Sequence, residues 1–519
     1  MNIHSLLTAL VIGLVLPSGV HAQSVAWFHT YVGTNAECTG VQRSSSGELY
    51  MSGHARNNNS FDGLAPGNLG YDDGFVARAD AMGNMQWIYS IGAYSSDIAW
   101  DVKEFGGRVT VRGNVANMGG SSNINYNGTS TPIAVDGAYI MQVDTAGGLQ
   151  ALHQPNGTTT DMVVDGTGNI YFIAAEDSMR YYKMSTNGTV LQQRTFSDHL
   201  WGSAIAVSPT GDVWIAGQWA GPYPSTIWVG GQTFYRHSNV HDIVVAKFDA
   251  NGNTLFTTQF GGAGSEKVND MVVADDGSMR LSGTFEGIVN QDGDTLPGNG
   301  PRWFLATFAP SGALLAMDDT TFRVNAASGR LAMNDAGEVI AAINFSDTLF
   351  HGLDTLASMY PVGSSIDAGI LAKWDAFGQL SWYGAIGYNS SGLVNTLINL
   401  GSVVGDSIFV CGRAGTPAYV ALVIDTTYAP LTTSVAPIRA VTDPDWTVYP
   451  NPASTELSLN GVAPGCQLQL IDPAGRVLWN RLTKAGHGSI DISVVPPGVY
   501  TLQVITGAGS SSRRVVVLR

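Results

Sequence analysis

Two imidazoles stand four residues apart in the run His237-Ser-Asn-Val-His241-Asp. On a helix that spacing would set both rings on one face, ready to share a metal ion. Here the run is a loop entering an apolar strand, so the two rings do not converge and solvated loop histidines are expected. A second candidate is Asn290-Gln-Asp292-Gly-Asp294, whose alternating oxygen-bearing side chains look like calcium ligands. It lacks the bidentate acid that closes a calcium loop. Moreover, Gly293-Asp-Thr-Leu296 aligns with Gly231-Gln-Thr-Phe234 and Leu353-Asp-Thr-Leu356, which makes it a recurring hairpin. The carboxylate pairs Asp275-Asp276 and Asp318-Asp319 sit at expected turns, where Asp serves backbone geometry. Glycoside cleavage needs two converging acids, and spacing along a chain does not show convergence. There is no Gly-x-Ser-x-Gly elbow, phosphate loop or His-Glu-x-x-His. Three cysteines, Cys38, Cys411 and Cys466, exclude a Cys-rich zinc site and a dense disulfide scaffold. Buried free thiols are the favoured reading; a Cys38–Cys411 bridge stays open, because the repeat described below puts these two in adjoining units. No catalytic residue, metal or cofactor is expected.

The elements that would position any site are strands. Of 519 residues 63 are Gly and only 13% are charged, the balance of an all-β exported protein. With 25 Lys and Arg against 41 Asp and Glu, the net charge is -16, which excludes the clustered basic surface that nucleic acid needs. The charge is uneven. From Asp445 onward six basic residues face four acids, so the tail carries +2 and the remainder -18, a step that points to two separate units.

Self-similarity organises the larger part. Val268-Asn-Asp270-Met-Val-Val-Ala274-Asp-Asp-Gly277-Ser-Met-Arg-Leu-Ser-Gly283 reads as strand, Asp-Gly turn, strand, and the turn is expected to be a tight primed one with two positive φ angles. Copies recur at Gly168 and Gly211, with looser ones at Gly47, Gly107, Gly337 and Gly405. A second module, Asp242-Ile-Val-Val-Ala-Lys247-Phe-Asp249-Ala-Asn-Gly252, alternates with the first; counterparts include Gly74–Gly83, Ala138–Gly147 and Gly369–Gly378. Seven copies of each, about 60 residues apart, give seven four-stranded units, the signature of a β-propeller. Six or eight blades stay open, since the copies near Gly107 and Gly168 are eroded. The last unit lacks its fourth strand, and the orphan strand Val25-Ala-Trp-Phe-His-Thr-Tyr31 is expected to supply it, so that residues 25–32 clasp the ring. The unit around Phe260–Gly283, with Asp242–Gly252, resembles the bacterial SBBP β-propeller repeat. That resemblance implies a fold and an extracellular setting, and no single activity.

Both ends of the chain speak of export. Residues 5–16 are an apolar run too short to span a bilayer, and Val20-His21-Ala22 follows, a signal peptide over 1–22 with cleavage after Ala22. No later run reaches the length of a membrane span. The propeller then occupies 23–430 and a Pro/Thr-rich linker 431–445. Residues 446–519 alternate apolar and polar positions, as a small β-sandwich would. They carry Tyr449-Pro450-Asn451-Pro452, the turn Asp472-Pro-Ala-Gly475-Arg476, and Gly498-Val-Tyr500. These pieces, in this order, resemble the type A C-terminal sorting domain of the type IX secretion system of Bacteroidota. The Pro496-Pro497 pair departs from that pattern and lengthens one turn. The resemblance implies passage through the periplasm, the type IX machinery as partner, and release or attachment at the cell surface. Asp-Ser/Thr-apolar triplets such as Asp406-Ser407-Ile408 resemble the O-glycosylation motif of the same bacteria. The chemistry-free repeat favours a non-catalytic binding, adhesion or structural module, with a glycan or protein ligand on its loops. The alternative is a secreted polysaccharide hydrolase or lyase with an axial site.

Overall fold

The computed structural model describes residues 23–425 and 447–518 apart from short internal stretches, among them 117–122, 220–225, 236–240, 359–367, 386–392, 472–476 and 483–487. The signal-peptide segment and linker lie outside the described residues, as do His237, Asp292, Asp319, Asp472, Gly475 and Arg476. The chain divides into two compact units, Met1–Leu431 and Thr432–Arg519. Every regular element among the described residues is a strand.

In the first unit most strands join as antiparallel quartets, to which short hairpins such as Asn123–Tyr126 with Thr129–Pro132 and Thr226–Val229 with Gln232–Tyr235 are added. In chain order the quartets are Ala36–Arg43, Leu49–Arg56, Asp72–Ala79, Met85–Gly92; Ile98–Phe105, Arg108–Val115, Gly137–Asp144, Leu149–His153; and Thr158–Val164, Ile170–Ala175, Ser178–Met184, Val190–Asp198. There follow Leu200–Val207, Val213–Trp219, Asp242–Phe248, Thr254–Gly262; Lys267–Val273, Met279–Glu286, Pro301–Phe308, Leu314–Asp318; and Arg323–Met333, Val339–His351, Ala368–Trp374, Leu380–Ala385. The seventh set is Thr396–Val404, Ser407–Ala414 and Ala418–Asp425, and its outer strand comes from the N-terminus. Gln23–Thr30 pairs along Ala418–Asp425, from Gln23 opposite Asp425 to Thr30 opposite Tyr419. The clasp therefore starts two residues earlier than the sequence suggested.

Most first-module turns share one geometry, which corrects the primed turn expected at Asp276-Gly277, whereas Gly106-Gly107 does carry the two positive φ angles of a primed turn, at 60° and 80°. In the hairpin at Ala274–Ser278, the Ala274 and Gly277 amides donate to Ser278 O and Ala274 O, and only Gly277 has positive φ, at 82°. This is an ordinary turn followed by a left-handed glycine and a bulge, so Asp276 keeps negative φ. In the second module the aspartate opens the turn. Asp80 Oδ1 accepts the Met82 and Asn84 amides at 2.9 Å, and Asp249 does the same for Asn251 and Asn253. The hairpin Val289–Gln291 with Asp294–Leu296 holds the calcium-like run.

Basic residues of the third strands tie the quartets together. Lys247 Nζ lies 2.9 Å from Asp212 and donates to Pro310 O of the next quartet at 2.8 Å. Lys373, with 1% of its side chain exposed, sits 2.7 Å from both Glu338 and Asp425, the second of these on the next quartet. Arg78 pairs with Glu48 and reaches Thr145 O at 3.0 Å. The acid follows the glycine of the first module and the base ends the third strand, so one ion pair closes a quartet and its second bond grips the neighbour. Cys38 and Cys411 are also neighbours across a seam, but both are buried free thiols, with Cys411 Sγ donating to Cys38 O at 3.2 Å. Cys38 Sγ in turn donates to Gly40 O at 3.4 Å, and the two sulfurs are unbridged.

The second unit has a three-stranded sheet, Thr447–Tyr449, Glu456–Asn460 and Gly488–Asp491, and a four-stranded one, Val477–Leu482, Gln467–Ile471, Gly498–Thr506 and Gly509–Val517. Leu457, Leu459 and Ile490 of the first share one core with Leu468, Leu470, Leu502, Val504, Val515 and Val517 of the second. These are the alternating apolar positions of the sequence.

Candidate axial binding site

The first strands of successive quartets touch one another in order, and the last of them, Thr396–Val404, touches the first, Ala36–Arg43. They therefore ring a common axis. In five of them the pairing with the second strand skips one residue, between Cys38 and Gly40, Ala99 and Asp101, Thr159 and Asp161, Gly202 and Ala204, and Val268 and Asp270. A bulge leaves the skipped residue outside the ladder and re-aims its side chain. The skipped residues are Thr39, Trp100, Thr160, Ser203 and Asn269, and all five line one cavity of about 310 Å³. Glu37, Val268, Ser328, Gly329, Arg330, Asn344 and Asn399 complete its wall.

Below the bulges sits a charged cluster. The Arg330 guanidinium lies 3.5 Å from Asp161 and 4.0 Å from Asp101. Although burial disfavours its charge, Asp101, Asp270 and Asp161 outweigh that and hold Arg330 firmly protonated. Burial raises Asp161, and burial together with Asp161 pushes Asp270 up to about 7, against the pull of Arg330. Asp101 goes the other way: burial is outweighed by Lys103, Arg330 and Arg112, and its carboxyl stays below the usual range. Arg112 is brought down to about 10 by burial and by Arg330.

Asp161 and Asp270 are committed to backbone, whereas Asp101 keeps Oδ2 without a hydrogen-bond partner among the described residues. Asp161 accepts the amides of Met162 and of Ile205 in the next quartet, both at 2.8 Å. Asp270 accepts those of Met271 and of Leu331 in the next quartet, again at 2.8 Å. Asp101 takes the Val102 amide at 2.8 Å and Lys103 Nζ at 3.2 Å. Gly40 stands at the matching place in the first quartet, where a Cβ would come within 2.8 Å of Ser52 Oγ and 3.2 Å of the Asp101 backbone. The cluster thus splices neighbouring strands around the axis. It presents no pair of free carboxyls to a substrate.

Most of the wall is likewise engaged. Thr39 Oγ1 donates to Ala99 O, Ser203 Oγ accepts from Gln218, and the Asn399 amide donates to Cys38 O. Asn344 both donates to Ile398 O and accepts its N–H. Thr160 Oγ1 and Asn269 Nδ2 are buried and meet no partner among the described residues. A second cavity of about 670 Å³ opens between the second and third quartets, lined by Ile98, Asn114, Val115, Asn156, Thr158 and Ala175, and Trp100 belongs to both.

The residues singled out for chemistry in the sequence lie elsewhere. His241 Nδ1 is 3.0 Å from Ser265 Oγ, and its carbonyl accepts the Glu266 amide. Among the described residues, no three His, Cys, Asp or Glu group as a metal would require. Asp276 caps its own turn through the Ser278 amide, and Asp318 accepts the Trp374 indole N–H at 2.9 Å. In the second unit, Asn451 Oδ1 accepts the Val516 amide at 2.8 Å, beside the exposed Tyr449 and between Pro450 and Pro452. Tyr500, paired with Val515 on the strand that Gly498 begins, is buried and donates to Pro496 O at 2.8 Å. Sequence reasoning missed Trp100, Thr160, Asn269 and Arg330. A signal was there: the triplet x-Asp-apolar recurs as Trp100-Asp-Val, Thr160-Asp-Met and Asn269-Asp-Met, and x is the bulged residue.

Residues 447–518 match the family described as secretion system C-terminal sorting domain. The second unit is therefore such a domain, and its type IX sorting tail marks the chain as secreted or displayed at the cell surface. No curated protein matches the chain. Among solved structures, a polysaccharide lyase, ulvan lyase, aligns at 9% identity over 77% of this chain and 96% of that one, with a TM-score of 0.45. The Dos1 propeller aligns at 9% identity over 79% and 96%, TM-score 0.42. PorZ, a surface component of the type-IX secretion system of Porphyromonas gingivalis, aligns at 12% identity over 93% and 81%, TM-score 0.26.

Proposed function

We propose that the chain is a type IX secretion cargo whose larger unit is a seven-bladed β-propeller of the SBBP type. In this reading residues 1–22 are removed after Ala22, the propeller spans 23–430, the linker 431–445, and a sorting β-sandwich 446–519. The propeller is a non-catalytic binding or adhesion module at the cell surface. The observation that carries this reading is the use made of the axial carboxylates. Asp161 and Asp270 each spend both oxygens on backbone amides, which serves ring assembly and withholds these two from acid–base work. The sorting motif, Tyr449, Pro450, Asn451, Pro452, Asp472, Gly475, Arg476, Gly498 and Tyr500, delivers the chain to the secretion machinery. In the source bacterium, removal of 446–519 is expected to trap the propeller in the periplasm. Secretion of the truncated chain at the normal level would refute the assignment of the tail as its address. A glycan and protein array probed with the secreted chain tests the binding role.

A further inference from the structure

We propose that the axial cavity holds the terminal pyranose of an uncharged glycan, whose following residues run past Trp100 into the groove between the second and third quartets. The inference rests on the binding reading above and gives that reading a ligand class. Size comes first. The cavities of about 310 and 670 Å³ both fall in the ~300–1,000 Å³ typical of small-molecule sites. They share Trp100, so a ligand longer than the axial cavity has an adjoining place to go.

The chemistry of the wall narrows the class. Hydroxyls and amides make up most of it, beside the charged Glu37 and Arg330, and two buried wall atoms lack a partner among the described residues, a hydroxyl, Thr160 Oγ1, and an amide nitrogen, Asn269 Nδ2. The hydroxyls of a polyol both donate and accept, so separate hydroxyls of one sugar offer each of these two groups a partner once its side chain turns towards the cavity. The indole of Trp100 supplies the apolar surface against which the C–H face of a pyranose ring lies. Charge excludes the alternatives. Arg330 is already flanked by Asp101 and Asp161, and Glu37 lines the same wall. An anionic sugar would face Glu37, and an ammonium would face Arg330. A neutral polyol avoids both desolvation penalties.

The test uses the mature full chain, residues 23–519, with saturation-transfer NMR and calorimetry. The probes are methyl glycosides and oligosaccharides of neutral hexoses and the corresponding uronates. Asn269→Leu removes the free amide and fills space, and Trp100→Ala removes the shared wall. Thermal melts establish that each variant folds, and Thr160→Val replaces either one that does not. Neutral sugars are expected to bind, with affinity lowered about tenfold or more by each variant and for each uronate. Neutral-sugar binding untouched by the axial variants would overturn the site and spare the binding reading. Preference for uronates would overturn the ligand class. A chain that binds none of the sugars, yet still captures a protein on the array, would overturn the inference alone; one that binds nothing on either would overturn both.

Discussion

The two units bury charge in opposite ways. The ring encloses Asp73, Asp97, Asp101, Arg112, Asp161, Asp242, Lys247, Glu266, Asp270, Arg280, Lys373 and Asp425, whereas the sorting domain buries no charged side chain among its described residues. The difference follows from how each is closed. Two sheets that face each other across one apolar core need only complementary alternation. A ring of sheets must also set the height of each quartet against the next, and apolar contact alone fixes that poorly. Here ion pairs and carboxylate-to-amide bonds do so, because each is satisfied in one register only. Such groups contribute specificity more than net stability, so breaking one partner should be costly in the ring and have no counterpart in the tail.

The largest effect is expected from the clasp. Deleting Gln23–Thr30 leaves the edge of Ala418–Asp425 unpaired, and an open edge invites association. The shortened mature chain should lose its cooperative melt and aggregate, as read by calorimetry and light scattering, while the sorting domain stays folded. Next is Lys373→Met. It removes the cation that Glu338 and Asp425 face at 2.7 Å, and should cost about 3–5 kcal/mol in denaturant unfolding.

A pH effect should follow. Glu266 is fully buried; burial and the neighbouring Asp242 raise its carboxyl to about 9, with Glu286 adding to the rise and the backbone amides of Gly262 and Glu266 opposing it. In the unfolded chain a glutamate ionises near ~4.3. The folded state therefore holds a proton that the unfolded state has lost. This contribution to stability is complete below the unfolded value and disappears as pH rises towards the folded one. The ring should melt lower at about pH 8 than at about pH 5, and Glu266→Gln should flatten the difference. The smallest effect belongs to the tail. Tyr500→Phe removes the hydroxyl that donates to Pro496 O and should cost the sorting domain about 1 kcal/mol, leaving the ring melt unchanged.

The sequence makes the strands legible because alternation and turn glycines act locally. Gly277 and Gly252 mark their hairpins whatever surrounds them, and the orphan strand before Tyr31 announces its own lack of a partner. The turn geometry at Asp276-Gly277 was misread, because Asp-Gly serves both a primed turn and a bulged one and only strand length separates them. The axial site went unread for a different reason, although the triplet x-Asp-apolar marks three of its positions. Trp100, Thr160 and Asn269 leave the ladder at a bulge, and an alternating pattern does not reveal a one-residue skip. In the sixth quartet the first strand pairs straight through Ser328–Leu331 and its skip falls earlier, between Val324 and Ala326, so Arg330 carries no bulge to mark it. His237 and His241 drew notice by spacing alone, and His241 turns to a loop serine.

The central claim is that the axial carboxylates assemble the ring and perform no cleavage. Its most direct test incubates the mature chain with soluble polysaccharides, counts new chain ends, and repeats the assay and a thermal melt with Asp161→Asn and Asp270→Asn. The account predicts no new ends with the native chain and a lowered melting temperature for both variants. A native chain that cuts a polysaccharide, beside variants that melt normally and cut nothing, would contradict it.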